Sequence, residues 1–337
     1  MTSLGLSRGL CGIVGLLLAA SVLAAPHDAR KLAFSAADAK AAESWQQFSR
    51  ELLFRLMKLD DLVRLDRGRD GRPGIALDQK VISAAVKDGY NSLEVEFNST
   101  PTRRIKAIVT VPLKADRAPA VVCIHGHGGN RGVVYNPKNI YGGFALRLAE
   151  ACYVTISVDV GRHAVYENGR TLMGERLWDV MRCVDHLVSR NDVDQSRIGC
   201  AGLSLGGEMA MWLGAMDTRI RATVSAGYLT TVANMRNGHC PCWEFPGLTE
   251  SFDWADIYSL IAPRALMCQI GQQERAPGGF PVDIAKGAWA QVLPCYRVFD
   301  AEGKAELKIH PGGHIMEVAS MVDMLDRELK SRAGRSP

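Results

Sequence analysis

The chain has 337 residues, of which 47% are hydrophobic and 23% are charged, and its formal net charge is +4. A chain of this size and composition can build one large domain or two small ones around a sizeable core. The charge is too mild, and the Lys and Arg residues are too scattered, to indicate binding to nucleic acid or to an acidic membrane surface.

The first 25 residues have the pattern of a secretory signal peptide. Arg8 is the only charged residue among them, and an apolar stretch from Gly9 to Ala20 leads to small residues. We therefore expect cleavage after Ala24 or Ala25, export to the periplasm or the medium, and no stable membrane insertion afterwards. The alternative is a retained membrane anchor, although the apolar stretch is shorter than the roughly 20 residues that a span needs.

Residues 26–90 are predicted to form a helical extension and a linker ahead of a main domain over residues 91–337. Apolar residues between Trp45 and Leu56 recur at helical spacing, which predicts an amphipathic helix. Residues 66–75 are rich in Gly, Arg and Asp and include a Pro, as a linker is. We expect the helix to pack against the main domain.

From about residue 92 onward, segments with strand and helix patterns alternate. The segments with strand patterns are 93–97, 105–111, 118–124, 153–160, 198–203, 220–226, 265–270 and 307–310. The segments with helix patterns lie near 142–151, 173–190, 205–216, 282–293 and 316–331. This order predicts an α/β fold with a mostly parallel, eight-stranded sheet that is covered by helices on both faces.

The sequence Gly202-Leu-Ser-Leu-Gly-Gly207 lies between a predicted strand and a predicted helix, and it fits the pattern G-x-S-x-G. A strand-to-helix turn of this kind holds its serine in a strained conformation, and glycine neighbours relieve the crowding. The hydroxyl then projects above the sheet at a helix N-terminus, where the dipole favours developing negative charge. We predict Ser204 as a nucleophile.

The loop His125-Gly-His-Gly-Gly129 follows the apolar strand predicted at 118–124. In folds with such a serine turn, this loop donates one backbone N–H to the oxyanion, and the residue after the nucleophile donates another. We predict the amides of His127 and Leu205 in this role, with Gly128 in reserve. The histidines are interpreted as structural rather than as metal ligands, with His125 packed and His127 lining the site.

His314 follows the last predicted strand, in the sequence Pro311-Gly-Gly-His314. A general base must reach the serine hydroxyl from a loop at the C-terminal edge of the sheet. His163 precedes the nucleophile and His186 lies within a predicted helix, so both are less well placed. We predict His314 as the general base.

The acid that orients this histidine is expected after the predicted strand 265–270, where Glu274 follows. The alternatives are Asp253, Asp256 and Asp300, of which Asp256 is the strongest. Its segment, however, is typical of a helix start, where capping and the helix dipole alone favour Asp. We predict Glu274 as the acid.

Eight of the nine cysteines would remain after cleavage of the signal peptide, and their pairing cannot be assigned from sequence. Cys123, Cys200 and Cys268 lie in apolar strands and are expected to be buried. The sequence His239-Cys-Pro-Cys242 suggests a metal site, but no second Cys/His pair follows at zinc spacing. We interpret it as a structural loop that could hold one disulfide, and we expect neither a metal nor a cofactor.

Taken together, these motifs resemble bacterial α/β-hydrolases of the acetyl xylan esterase-like or dienelactone hydrolase-like branch, over about residues 40–331. The motifs that carry the resemblance are His125–Gly129, Gly174-Glu-Arg-Leu-Trp-Asp-Val-Met-Arg182, Gly202–Gly207, Asp217-Thr-Arg-Ile220, His239–Cys242, Pro246-Gly-Leu248, Leu260-Ile-Ala-Pro-Arg264 and Pro311–His314. The resemblance implies an α/β-hydrolase catalytic domain over residues 91–337, and a Ser-acid-His serine esterase acting on acetyl or other small acyl esters. Dienelactone hydrolases carry a Cys nucleophile where this chain has Ser204, and the acid of the family is usually Asp where this chain has Glu274.

Two other functions stay open. Oligopeptidases share this domain, although they also carry a propeller domain that we do not expect here, and a catalytically silent binding protein can use the same fold. The aromatic residues of segment 227–255 are expected either to wall the acyl or alcohol pocket or simply to pack. These residues are Tyr228, Trp243, Phe245 and Trp254. A small-molecule or carbohydrate ester is the expected substrate, whereas the natural substrate and the oligomeric state do not follow from the sequence.

Overall fold

The computed structural model describes Met1 and residues 30–67, 74–114 and 116–330. The predicted signal peptide, residues 1–25, lies outside the described residues except for Met1, and so does the middle of the predicted linker. In the described part of the chain, no helix combines the length and the apolar character needed to cross a membrane.

The described strands form one sheet, in the order β1-β2-β3-β5-β4-β6-β7-β8-β9. The strands are β1 (Lys80–Lys87), β2 (Tyr90–Asn98), β3 (Arg104–Pro112), β4 (Ala118–Ile124), β5 (Val154–Val158), β6 (Val193–Leu203), β7 (Ile220–Ala226), β8 (Ala265–Gly271) and β9 (Ala305–His310). The pairs β1–β2, β2–β3 and β3–β5 are antiparallel, and all pairs from β5 through β9 are parallel. The mostly parallel sheet predicted from the sequence is confirmed.

The prediction of eight strands is wrong by one, because β1 lies in the segment that was assigned to the helical extension and linker. Every residue of β1 is exposed, so no alternation of apolar and polar residues marks it as a half-buried strand. The strand pairs with β2 across a turn at Asp88 and Gly89, where Gly89 has a φ of 89°. An Asp-Gly pair is a strong hairpin signal, and it is the feature by which β1 could have been found.

The sheet is enclosed by helices on both faces, as predicted. The helices are α1 (Ala39–Leu56), α2 (Asp60–Arg67), α3 (Phe144–Glu150), α4 (Leu172–Val188), α5 (Leu205–Met216), α6 (Val232–Met235), α7 (Leu248–Ser251), α8 (Trp254–Ser259), α9 (Val282–Val298) and α10 (Val318–Leu329). Helices α3 and α10 share one hydrophobic core, and α1, α4, α5, α8 and α9 share the other. Because the carboxyl ends of the parallel strands meet at one edge, the loops that follow them converge there.

The central strand β4 supplies both cores. Val121 and Cys123 pack with the core of α3 and α10, whereas Ala120 and Val122 pack with the other core. Successive side chains of a strand point to opposite faces, so a strand covered on both faces reads as one continuous apolar run. All seven residues of β4 are buried, which confirms the prediction for this segment.

The N-terminal helix α1 packs against the sheet domain. Leu53 is buried in the core that α4 and α5 share. The side-chain amide of Gln46 donates to the carbonyls of Ser259 and Ala262, and Nε of Arg50 donates to the carbonyl of Ala215 at 2.7 Å. Helix α1 is therefore tied to the sheet domain by polar contacts as well as by apolar packing. A division of the chain at residue 91 stays a prediction.

Candidate active site

Ser204 lies at the turn between β6 and α5, with φ 64° and ψ −127°. A side chain at positive φ is strained, and such strain is characteristic of functional sites. The amide of Ser204 donates to the carbonyl of Ala226 at 2.9 Å, which holds the turn against β7. Gly206 approaches the backbone of Ile124 so closely that a Cβ would collide with the carbonyl. These contacts put the serine at the N-terminus of α5, on the C-terminal edge of the sheet.

His314 and Glu274 come from the loops that follow β9 and β8. Nδ1–H of His314 donates to Oε1 of Glu274 at 2.6 Å, and Oε2 of Glu274 accepts the amide of Phe280 at 3.1 Å. The ring of Phe280 stacks on the imidazole with a centroid distance of 5.7 Å. Glu274 is buried, whereas His314 is half-buried. The bond fixes the proton on Nδ1 and leaves Nε2 as a proton acceptor.

The structure brings Ser204, His314 and Glu274 to the same pocket, which has a volume of about 400 Å³. The residues at the C-terminal end of β7 contact both the serine and the histidine. Ala226 accepts the amide of Ser204, and a Cβ on the next residue, Gly227, would lie 2.9 Å from Cε1 of His314. The side chains predicted as nucleophile, base and acid therefore converge although 110 positions separate the first from the last.

The alternative carboxylates have other contacts. Asp256 accepts hydrogen bonds from the amides of Asp253 and Phe34 and pairs with Arg30 at 2.8 Å. Asp253 caps α8 and accepts the amide of Val232 at 2.9 Å. Asp256 thus caps a helix and holds the N-terminal segment, as its sequence context indicates. Burial raises the pKa of Asp256 to about 6.

The loop after β4 lies against the serine turn. A Cβ on Gly126 would come within 3.0 Å of Cβ of Ser204. His125 is fully buried, with Nδ1–H donating to the carbonyl of Gly126 at 2.8 Å and Nε2 accepting the amide of Val160 at 3.1 Å. Burial lowers the pKa of His125, which favours the neutral ring that these contacts require. His125 therefore holds the loop in place.

The two residues predicted to donate backbone N–H groups to an oxyanion are His127 and Leu205. Both line the same pocket as Ser204. Leu205 is the first residue of α5, so its amide belongs to the helix N-terminus, where the backbone N–H groups lack partners within the helix. The structure thus brings both predicted residues to the serine.

The aromatic residues of segment 227–255 divide between the two roles considered from the sequence. Tyr228 and Trp243 line the pocket. Phe245 and Trp254 lie behind it and pack on Trp212, with centroid distances of 6.0 and 6.1 Å. The expectation of a pocket wall therefore holds for one pair and not for the other.

One charged residue that lines the pocket, Glu208, was not predicted as a site residue. Glu208 lies one turn after Ser204 in α5, and burial raises its pKa to about 7 although the nearby Arg176 lowers it. Arg176 is fully buried, and its guanidinium donates to the carbonyl of Arg162. A lone carboxylate in the otherwise apolar helix α5 was the sequence signal that could have found Glu208.

The fold and this site define the class of protein. A nine-stranded, mostly parallel sheet with a strained serine at a strand-to-helix turn, and with an acid and a histidine from later loops, is the α/β-hydrolase fold. A sequence model of the prolyl oligopeptidase family, whose catalytic domains share this fold, matches residues 157–239, which include the serine turn. The α/β-hydrolase fold predicted from the resemblance is confirmed.

Individual known proteins agree with this class. The chain is 32% identical to YtaP of Bacillus subtilis (strain 168), a protein described as a hydrolase, over 142 residues, which are 39% of this chain and 47% of that protein. The matched region thus spans about half the length of this relative.

Among solved structures, a protein described as an acetyl xylan esterase from Bacteroides fragilis NCTC 9343 superposes on this chain with a TM-score of 0.67 at 19% identity. The superposition covers 85% of this chain and 79% of that protein. A glucuronoyl esterase from Solibacter usitatus gives a TM-score of 0.62 at 17% identity, with 88% and 94% covered.

Proposed function

We propose that this protein is a serine esterase that cleaves carboxylic esters of acetyl or other small acyl groups through an acyl-enzyme. The observation that carries the proposal is the hydrogen bond of 2.6 Å between His314 and Glu274 beside the strained Ser204. A nucleophile, a base and a group that orients the base are the parts that acyl transfer needs.

In the first half-reaction, Nε2 of His314 takes the hydroxyl proton of Ser204 as Oγ attacks the ester carbonyl. The new C–O bond gives a tetrahedral oxyanion, which collapses as His314 returns the proton to the leaving alcohol. In the second half-reaction, His314 takes a proton from water as the water oxygen attacks the acyl carbonyl. The bond between the acyl carbon and Oγ of Ser204 then breaks, His314 returns the proton to Oγ, and the carboxylic acid leaves. Glu274 holds the imidazole in the required tautomer throughout.

The oxyanion would be bound by the backbone amides of His127 and Leu205. Donors that are fixed before the reaction stabilise developing charge without reorganisation, and losing one such donor costs roughly 3–4 kcal/mol of barrier. The contacts that His125 makes with Gly126 and Val160 support this assignment, because they keep the loop rigid. No step of this mechanism uses a metal or a cofactor.

The substrate class follows from the pocket. A volume of about 400 Å³ is small for a ligand site, which suits a short acyl group with part of its alcohol. Tyr228, Trp243 and Phe280 line the pocket and make part of its wall apolar, as in a site for an acyl group. The esterases found among the structural neighbours act on carbohydrate esters by their names, which supports a carbohydrate ester as the substrate. The signal peptide pattern of residues 1–25 fits export to the periplasm or the medium, where such esters occur.

A peptidase is the second candidate, because the prolyl oligopeptidase family matches residues 157–239. The substrates that the protein hydrolyses distinguish an esterase from a peptidase. We expect p-nitrophenyl acetate and acetylated xylo-oligosaccharides to be hydrolysed, p-nitrophenyl esters of longer acyl chains to be poorer substrates, and prolyl p-nitroanilides to be left intact. Cleavage of the anilides without ester hydrolysis would establish the peptidase instead, and no turnover of either would favour a binding protein.

A further inference from the structure

Four metal-ligating side chains meet at the rim of the pocket, and the proposed ester hydrolysis does not use their side chains. They form what we call the His2Cys2 cluster: His127, His163, Cys240 and Cys242. One ligand atom from each residue lies within 4.8 Å of every other. Nε2 of His127 lies 3.1 Å from Sγ of Cys242, and Nε2 of His163 lies 3.2 Å from Sγ of Cys240.

These distances are compatible with one metal ion in tetrahedral coordination. With Zn–N near 2.0 Å and Zn–S near 2.3 Å, a nitrogen and a sulfur bound to the same zinc lie about 3.5 Å apart. The observed pairs need to widen by only a few tenths of an ångström. The imidazole rings of His127 and His163 are neighbours, with centroids 5.5 Å apart and an angle of 18° between their planes, and a rotation of one ring would bring both Nε2 atoms to the same ion.

The chemical types of the four ligand atoms and the residues around them indicate which metal the cluster would bind. Two imidazoles and two thiolates are a structural zinc set, whereas Mg²⁺ and Ca²⁺ prefer oxygen ligands. All eight cysteines among the described residues are free, so Cys240 and Cys242 are available as thiols. Nη1 of Arg176 lies 3.3 Å from Sγ of Cys242, so a buried positive charge is adjacent to this ligand.

We propose that the His2Cys2 cluster binds one zinc ion. Four protein ligands close the coordination sphere, so the ion is structural and holds no water for catalysis. It joins three segments that are distant in sequence: the loop after β4, the loop after β5 and the connection between β7 and β8. No regular ligand spacing results from such a site, which is why the Cys-Pro-Cys sequence alone did not predict it.

The ion also has a consequence that rests on the proposed esterase function. The side chain of His127 would bind zinc, and the backbone amide of the same residue is one of the two donors proposed for the oxyanion. Zinc would therefore fix the loop that contains one of the two proposed oxyanion donors. A structural metal of this kind contributes directly to the stability of the segments that it joins.

Metal binding can be measured without any turnover. The purified protein is stripped with a chelator, loaded with Zn²⁺ or Co²⁺ and separated from free metal, and bound metal is counted by mass spectrometry. We expect about one ion per chain. The Co²⁺ form should show a thiolate-to-cobalt charge-transfer band and the intense d–d bands of a four-coordinate site. The Cys240→Ser, Cys242→Ser and His163→Ala variants should lose the ion and the charge-transfer band.

Two controls keep the result independent of folding. Cys152→Ser removes an exposed thiol outside the cluster and should retain the ion and the spectrum. In the unsubstituted protein, Zn²⁺ should slow alkylation of Cys240 and Cys242 by iodoacetamide and leave alkylation of Cys152 unchanged. Zinc retained by a Cys240→Ser/Cys242→Ser double variant, or unchanged alkylation of both thiols, would overturn the proposal. Because these measurements use no ester, absent esterase activity would refute the proposed function and leave the zinc site unaffected.

Discussion

His314 and Glu274 are joined by a hydrogen bond of 2.6 Å between Nδ1 and Oε1, with the carboxylate buried and the imidazole half-buried. The second carboxylate oxygen accepts the amide of Phe280, so the group cannot rotate freely. Glutamate is one methylene longer than aspartate, and the loop after β8 accommodates that length. The pair defines the tautomer that a general base needs.

Replacing the carboxylate of Glu274 tests this pair. Glu274→Gln should lower kcat on p-nitrophenyl acetate by up to about 10⁴, because an amide that donates to Nδ1 favours the wrong tautomer. The control is Asp256→Asn, since Asp256 binds Arg30 and the backbone of α8 instead. Its kcat should stay within about tenfold of the unsubstituted protein, equivalent to 1.4 kcal/mol. The reverse ranking, with folding verified by circular dichroism, would identify Asp256 as the acid.

The contact between Gly126 and the serine turn gives a second prediction. A Cβ at Gly126 would lie 2.9 Å from the carbonyl oxygen of Leu203 and 3.0 Å from Cβ of Ser204, so Gly126→Ala must push the loop away from the nucleophile. Misplacement by about 1 Å can cost 10²-fold in rate, and we expect a loss of kcat of that order.

Gly287→Ala is the matched control for this substitution. Gly287 lies in α9, and its added Cβ would meet nothing within 4 Å. The variant should keep full activity and gain about 0.5–1 kcal/mol of stability from the helix preference of alanine. Equal rates for Gly126→Ala and Gly287→Ala would show that the loop after β4 does not assist catalysis.

The buried His186 predicts how stability depends on pH. It stacks on Phe97, and neither ring nitrogen has a hydrogen-bond partner among the described residues. Burial lowers its pKa from 6.5 to about 4, so the folded state favours the neutral ring. Its contribution to stability is complete above pH 6.5 and is lost as the pH falls toward 4. At pH 5 the loss is about 2 kcal/mol, at 1.36 kcal/mol for each pKa unit.

The measurement is urea unfolding at pH 7 and pH 5. His186→Phe keeps the aromatic stacking and removes the titration, so its free energy of unfolding should fall less between the two pH values than that of the unsubstituted protein. Identical pH dependence for both proteins would mean that His186 does not titrate as its burial requires.

The sheet and the loops of the candidate site could be predicted because the relevant residues form local patterns. The run of apolar residues in β4 marked a strand buried on both faces, and the motif around Ser204 marked the turn between β6 and α5. Because the C-terminal ends of parallel strands share one edge, the strand order indicated that Glu274 and His314 lie at the same edge as Ser204.

The missed features are not marked by a periodic pattern of apolar residues in the sequence. Strand β1 is exposed along its whole length, so burial left no pattern in its sequence. Phe245 and Trp254 could not be separated from the pocket residues Tyr228 and Trp243, because all four are aromatic residues in one connection. The His2Cys2 cluster draws its ligands from three loops, and only the folded chain brings them together.

Labelling with a fluorophosphonate tests the central claim most directly, because the probe forms a covalent bond only with an activated serine. We predict stoichiometric labelling at Ser204, identified by peptide mass spectrometry, in step with complete loss of ester hydrolysis. Ser204→Ala should remain folded, bind no probe and retain no more than a trace of the kcat. Labelling of another residue, or appreciable ester hydrolysis by Ser204→Ala, would contradict the account.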